Sequence, residues 1–137
     1  MIDKEDEIYD SVYRDIIAQY PDCYVTSTYV NKPPKFPCVS IVQATNQVFR
    51  YTQDTTHDEV QALLLFDVNV YSSKVDTAKS EAKAIMNVVD DGFAKLGFVR
   101  MMLEPIPNER DASIYRLVSR YRGIIDKNGV VYRYYRR

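Results

Sequence analysis

The chain has 137 residues, a formal net charge of -1 and 46% hydrophobic residues. That size suits one domain that buries roughly two-thirds of its unfolded surface, and the composition excludes a disordered tail or a uniformly cationic nucleic-acid binder. The near-neutral total conceals a polarity, because residues 3–15 carry six acidic side chains against two basic, while residues 113–137 carry seven basic against one acidic.

The first element reads as a helix from about Asp3 to Gln19, with Ile8, Val12 and Ile16 one turn apart and Tyr9, Tyr13, Ile17 and Tyr20 widening the stripe. Its first turn is acidic, where the helix macrodipole favours negative charge, and Pro21 ends it by excluding the α conformation at Tyr20. Thr, Val and Tyr between Cys23 and Val30 predict a strand that Pro33-Pro34 stops, and Phe36-Pro37 introduces a second strand, Cys38 to Thr45. Between Asn46 and Glu59 the pattern dissolves into polar sequence holding Val48, Phe49 and Tyr51, which predicts a long loop or an excursive hairpin. In the run from Val60 to Ser72, Ala62, Leu64, Phe66, Val68 and Val70 form one apolar face and Leu63, Leu65 and Tyr71 make part of the other apolar, which reads as a central strand covered on both sides.

A second helix follows. Ser73-x-x-Asp76 resembles a capping box, and Ala78, Ala82, Ile85, Val89, Phe93 and Leu96 recur at spacings of three and four. Gly97 fits a left-handed C′ position with Phe98 folding back on the last turn, and Gly92 inside the helix marks a close approach to another backbone. A strand from Phe98 to about Glu104, a Pro105-x-Pro107 connection, a long strand from Ile114 to Ile125 and a final strand from Val130 to about Tyr135 complete the chain. Asp126-Lys127-Asn128-Gly129 is a hairpin signal, because Gly and Asn accept positive φ. The expectation is one α+β domain over residues 1–137, a mostly antiparallel β-sheet backed by two α-helices in the order α-β-β-β-α-β-β-β.

Catalytic chemistry is sparse. His57 sits in the polar loop beside Asp58 and Glu59, with no nucleophile or second base in view, and reads as a solvated histidine. Asp90 and Asp91 point about 100° apart on a helix and do not converge on one metal ion. Cys23 and Cys38 read as small buried thiols of a reducing compartment. No basic segment precedes an apolar stretch at the N-terminus and no long apolar run occurs, so neither a signal peptide nor a membrane span is expected, and synthesis is expected in the cytoplasm. The sequence thus predicts no catalytic residue, no cofactor and no metal.

The more informative constellation is C-terminal. Alternation puts Arg116, Arg120 and Arg122 on one face of their strand with Ile114, Val118 and Ile124, and Tyr115, Leu117 and Tyr121 on the other. The theme recurs in Tyr132-Arg133-Tyr134-Tyr135-Arg136-Arg137. Arg and Tyr together suit a protein interface, a nucleic-acid groove, or a solvated strand paired to the acidic first helix. The candidate interface residues are Glu5, Glu7, Asp10, Phe49, Tyr51, Arg116, Arg120, Arg122, Arg133, Tyr134, Tyr135 and Arg136.

Several stretches resemble one family when taken in order: Phe66-Asp67-Val68-Asn69-Val70-Tyr71-Ser72, Ala82-Lys83-Ala84-Ile85-Met86, Gly97-Phe98, Pro105-Ile106-Pro107-Asn108, Ala112-Ser113-Ile114-Tyr115-Arg116, Arg120-Tyr121-Arg122-Gly123 and Asn128-Gly129-Val130-Val131-Tyr132-Arg133. They resemble the tail-completion, or tail terminator, proteins of the neck of long-tailed bacteriophages. The likeness covers the C-terminal half in detail and the rest in element order; Tyr134-Tyr135-Arg136-Arg137 extends beyond the family's usual ending. The resemblance implies a virion protein assembled in the host cytoplasm, a ring that is usually hexameric, seated on the last ring of the major tail tube protein. Its other side would meet the head-completion complex, and DNA would pass through the lumen without specific binding. A head-closure or minor capsid protein of the same neck, or a nucleic-acid-binding module, is the alternative. A closed ring needs two different complementary patches, for which the acidic helix and the arginine strand are candidates.

Overall fold

The computed structural model describes residues 1–48, 61–107 and 113–126, and the backbone of 131–132. The order along the chain is α1 (Glu5–Gln19), β1 (Tyr24–Thr26), β2 (Cys38–Val48), β3 (Gln61–Ser72), α2 (Ala78–Lys95), β4 (Val99–Pro107), β5 (Tyr115–Asp126) and β6 (Val131–Tyr132). The sheet runs β1-β2-β3-β5-β4, with β6 also paired to β5. Every pairing is antiparallel except β1 with β2. The predicted α+β class and element order both hold.

Both helices lie on one face of this sheet. On β3 the even positions Ala62, Leu64, Phe66, Val68 and Val70 are fully buried, and they join Ile8, Val12 and Ile16 of α1 and Ala82, Ile85, Val89 and Phe93 of α2 in one core. Each large apolar side chain so buried contributes about 1.5–3 kcal/mol. An aromatic cluster fixes α2 to the strands: the Phe93 ring stacks on Tyr121 at 4.4 Å and meets Phe98 edge-on at 5.4 Å, while Phe66 lies 5.5 Å from Phe93.

The end of α2 follows the predicted Gly97 reading. Gly97 has φ 89°, its N–H donates to Ala94 and the Phe98 N–H donates to Phe93, which is the paired bonding of a Schellman cap. The predicted start does not hold. The N-cap is Thr77 with no side-chain cap bond, and Asp76 takes φ 64°, so Ser73 and Asp76 precede the helix. Ser72 does the local work instead: its Oγ donates to Glu81 Oε1 at 2.7 Å and accepts the Lys74 N–H at 3.4 Å.

Three further expectations change. β1 stops at Thr26 rather than Val30, because the chain leaves the sheet edge and crosses the face opposite the helices. There the Ser40 hydroxyl donates to the Thr28 carbonyl and the Tyr71 hydroxyl to the Val30 carbonyl, at 2.9 and 3.2 Å. This strap covers only one end of the central strand, so Asn69 and Tyr71 are buried while Leu63, Leu65 and Asp67 remain half-exposed; β3 is not covered on both sides throughout. Asn46 to Val48 extend β2 against Leu64, Leu63 and Ala62, which at these residues matches the hairpin rather than the loop alternative; residues 49–60 lie outside the described part.

β4 continues through both prolines to Pro107. Pro105 and Pro107 pair with Leu117 and Tyr115 in the same phase, so their donor-less nitrogens face the open edge of the sheet and discourage strand addition there. The C-terminal hairpin is present as Ile125↔Val131 and Ile124↔Tyr132.

The glycines give a test of this packing. A Cβ on Gly92 would meet the carboxylate of Asp15 at 2.9 Å and Val12 at 3.6 Å, so the close approach expected there is to side chains of α1 rather than to backbone. A Cβ on Gly123 would enter the Phe98 ring, with three ring carbons at 2.7–2.9 Å. Gly123→Ala should therefore cost about 1–3 kcal/mol in urea unfolding, whereas Gly92→Ala should be close to neutral because the helix-propensity gain of about 1 kcal/mol offsets a small shift of Asp15.

Candidate interface on the open sheet face

The face opposite the helices carries the arginines. Register sets Arg116 against Tyr71, Arg120 against Asp67 and Arg122 against Leu65, all in the phase that points away from α2. Arg120 grips Asp67 with Nε to Oδ1 at 2.7 Å and Nη2 to Oδ2 at 3.3 Å, and the hydrogen bond and charge of Asp67 raise the Arg120 pKa still further. Arg116 is held by neutral partners, its Nε donating to Asn69 Oδ1 at 3.0 Å and its guanidinium lying 5.5 Å from the centre of the Tyr71 ring. Burial raises the Tyr71 pKa, and the Arg116 charge partly opposes that rise.

Apolar side chains fill the gaps between these charges. Leu63 and Leu65 from β3, Val118 from β5, and Met102 and Ile106 from β4 are half-exposed in the same phase, and Val99 is 40% exposed at the rim. Asp67, Glu104 and Asp126 share the face with the three arginines, so its described part is charge-balanced. A surface of mixed apolar and balanced charged groups suits protein contact, while a phosphate backbone calls for net positive charge.

The acidic candidates lie across the molecule. α1 packs on the helical face, so the arginines do not pair with it inside the chain; the acid that Arg120 meets is Asp67. Glu5 is half-buried, and burial together with Asp3 and Asp6 raises its pKa. Glu7 pairs with Lys4 at 3.4 Å, and Asp10 is exposed. Asp90 is engaged by the Tyr121 hydroxyl at 3.0 Å and by Arg100 at 3.2 Å, a bond pair that ties α2 to β5 and β4. A shallow groove of about 240 Å³ between α1 and α2 is lined by Val88, Gly92 and Asp15, whose carboxylate is closed by Lys95 at 3.1 Å. Phe49, Tyr51, His57, Arg133, Tyr134, Tyr135 and Arg136 lie outside the described residues.

Asp67, Asn69 and Tyr71, the partners of Arg120 and Arg116, are not evident from the sequence alone. Their signal is two polar residues and a tyrosine at period two within an otherwise apolar central strand, which only a cross-strand register turns into a contact.

The fold defined by these elements is a two-layer α+β sandwich with one helical face and one open sheet face. A chain of the solved virion of a native gene transfer agent particle is similar to it, with a TM-score of 0.56 and 18% identity over 83% of this chain and 90% of that one. No protein-family model matches the sequence, and no curated protein matches it. No helix among the described residues is long and apolar enough to cross a membrane.

Cys23 and Cys38 are free and buried, and burial pushes their thiols up to about 12 and about 11. A thiol raised in this way costs stability once the unfolded chain can ionise it. Stability should be unaffected well below pH 9, the ordinary thiol value, and should fall as pH rises through it toward about 11, by at most about 1.4 kcal/mol per thiol per pH unit. Urea unfolding across that window should show a shallower fall for Cys23→Ala and for Cys38→Ala than for the parent.

Proposed function

We propose that this chain is a structural protein of a bacteriophage or phage-like virion, a ring-forming tail terminator that caps the tail tube and joins it to the head-completion complex. The observation that carries the reading is the placement of two dissimilar surfaces, an acidic helix and an open arginine-bearing sheet face, on opposite sides of one subunit. A closed ring is built from a heterologous contact, which needs two different patches facing different ways. The likeness to a chain of a gene transfer agent virion supports a virion role, and the order of motifs along the sequence supports the terminator tier. The work done is steric and interfacial rather than catalytic. Self-association, usually as a hexamer, the tail tube protein and a head-completion protein are the partners this reading assigns, with DNA passing through the lumen.

A nucleic-acid module is the weaker alternative, since the carboxylates of Asp67, Glu104 and Asp126 share the open face with its arginines and would repel a phosphate backbone. The purified protein should form rings visible by electron microscopy, and their assembly should slow as salt rises. Reversing Arg116, Arg120 and Arg122 together to Glu should abolish the rings while circular dichroism shows a folded subunit, because an exposed pair such as Arg120–Asp67 contributes only about 0–1 kcal/mol to the fold. Changing Glu5, Glu7 and Asp10 to Lys in that background should partly restore assembly. A folded triple variant that forms rings as well as the parent contradicts this assignment.

A further inference from the structure

The outward stripe of α1 is more specific than its acidity. Asp6, Asp10 and Tyr13 follow one another at i, i+4 and i+7, so they share one line along the helix, and all three are exposed. Glu7 is occupied by Lys4 and Glu5 is half-buried, which leaves Asp6 and Asp10 as the carboxylates on this line. Tyr13 is 37% exposed and already oriented: its ring lies 5.9 Å from that of Tyr9, whose hydroxyl donates to the Val25 carbonyl at 3.2 Å. An aromatic side chain fixed before binding loses little rotamer entropy on docking, which is the usual property of an interface anchor.

The open face offers a matching spacing. Arg120 and Arg122 are two residues apart on β5, roughly 6.7 Å, and the helical turn from Asp6 to Asp10 is roughly 6 Å. Asp67 takes Nε and Nη2 of Arg120, and among the described residues Nη1 remains for a second carboxylate. Arg122 is half-exposed beside Leu65, and half-exposed Leu63 follows Leu65 along β3, so the face continues from charge into apolar surface. The helix stripe makes the same change, from Asp6 and Asp10 to Tyr13.

From this correspondence we propose that α1 of a second copy docks along β5, with Asp6 on Arg120, Asp10 on Arg122 and Tyr13 seated on Leu63 and Leu65. The docking rests on the reading that copies of the chain meet through the open face, and it adds the register and the anchor. It adds a third layer, since the second copy supplies the helical cover that the open face lacks. It also uses each patch once per subunit, so the contact propagates from copy to copy in one sense.

The test is self-association of the full chain, measured by analytical ultracentrifugation with circular dichroism on every variant. Asp6→Arg with Asp10→Arg should weaken association by at least about tenfold, Arg120→Glu with Arg122→Glu should do the same, and the four changes together should recover most of the loss. Tyr13→Ala should weaken association by about tenfold or more, while Tyr13→Phe, which keeps the ring, should not. Additive losses with no recovery, or a Tyr13→Ala variant that associates like the parent, overturn the docking. A chain that stays monomeric at all concentrations yet binds tail tubes also overturns it and leaves the neck role standing. A chain that associates with the predicted pattern but does not bind tails supports the docking and removes the terminator role.

Discussion

Both helices occupy one side of the sheet, and most of the molecule follows from that. A central strand with five fully buried residues in one phase and half-exposed leucines in the other has only one face committed to the core. The aromatic contacts among Phe66, Phe93, Phe98 and Tyr121 hold α2 against that face, and Gly123 is the gap that lets the Phe98 ring lie flat on β5. Without this one-sided attachment the arginine face would be covered and the acidic helix would have no fixed relation to it.

The open face is consequently a surface of restrained charge. Arg120 is clamped by Asp67, Arg116 lies on Tyr71 and Asn69, and the strap through Thr28 and Val30 closes one end. Such preorganisation favours recognition of a shaped protein partner over a flexible polyanion, because the guanidinium groups are fixed before contact. The sheet edge follows the same logic, as the bulge near Met101 and the two prolines of β4 discourage random strand pairing. The edge is thereby less open to strand addition than the face is to packing.

Much of this was legible in the sequence where the signal is local. The turn at Gly97-Phe98, the apolar stripe of α2, the central strand and the closing hairpin each depend on neighbours a few residues apart, and each is found where expected. What was not legible depends on contacts distant along the chain. Thr and Val after Thr26 have strand composition, yet that backbone bonds to Ser40 and Tyr71 side chains instead of a ladder. Ser73 and Asp76 match a capping spacing, but Ser72 and Glu81 make the bond. The arginine face was foreseen as a face, whereas its partners Asp67, Asn69 and Tyr71 required the β3–β5 register. Asp6 and Tyr13 were hidden for a related reason, since which side of an amphipathic helix stays open is decided by the sheet it packs on.

The docking proposed above buries the open sheet face between subunits of an assembled particle. Val118 sits midway between Arg116 and Arg120 on that face, and the native thiols are buried and pushed to high pKa, so a thiol introduced there reports almost alone. The direct measurement is the rate of thiol labelling of Val118→Cys in the isolated subunit and in the purified ring or particle. Rapid labelling of the subunit and strong protection in the assembly is the expected result. Equal labelling in both states contradicts that burial.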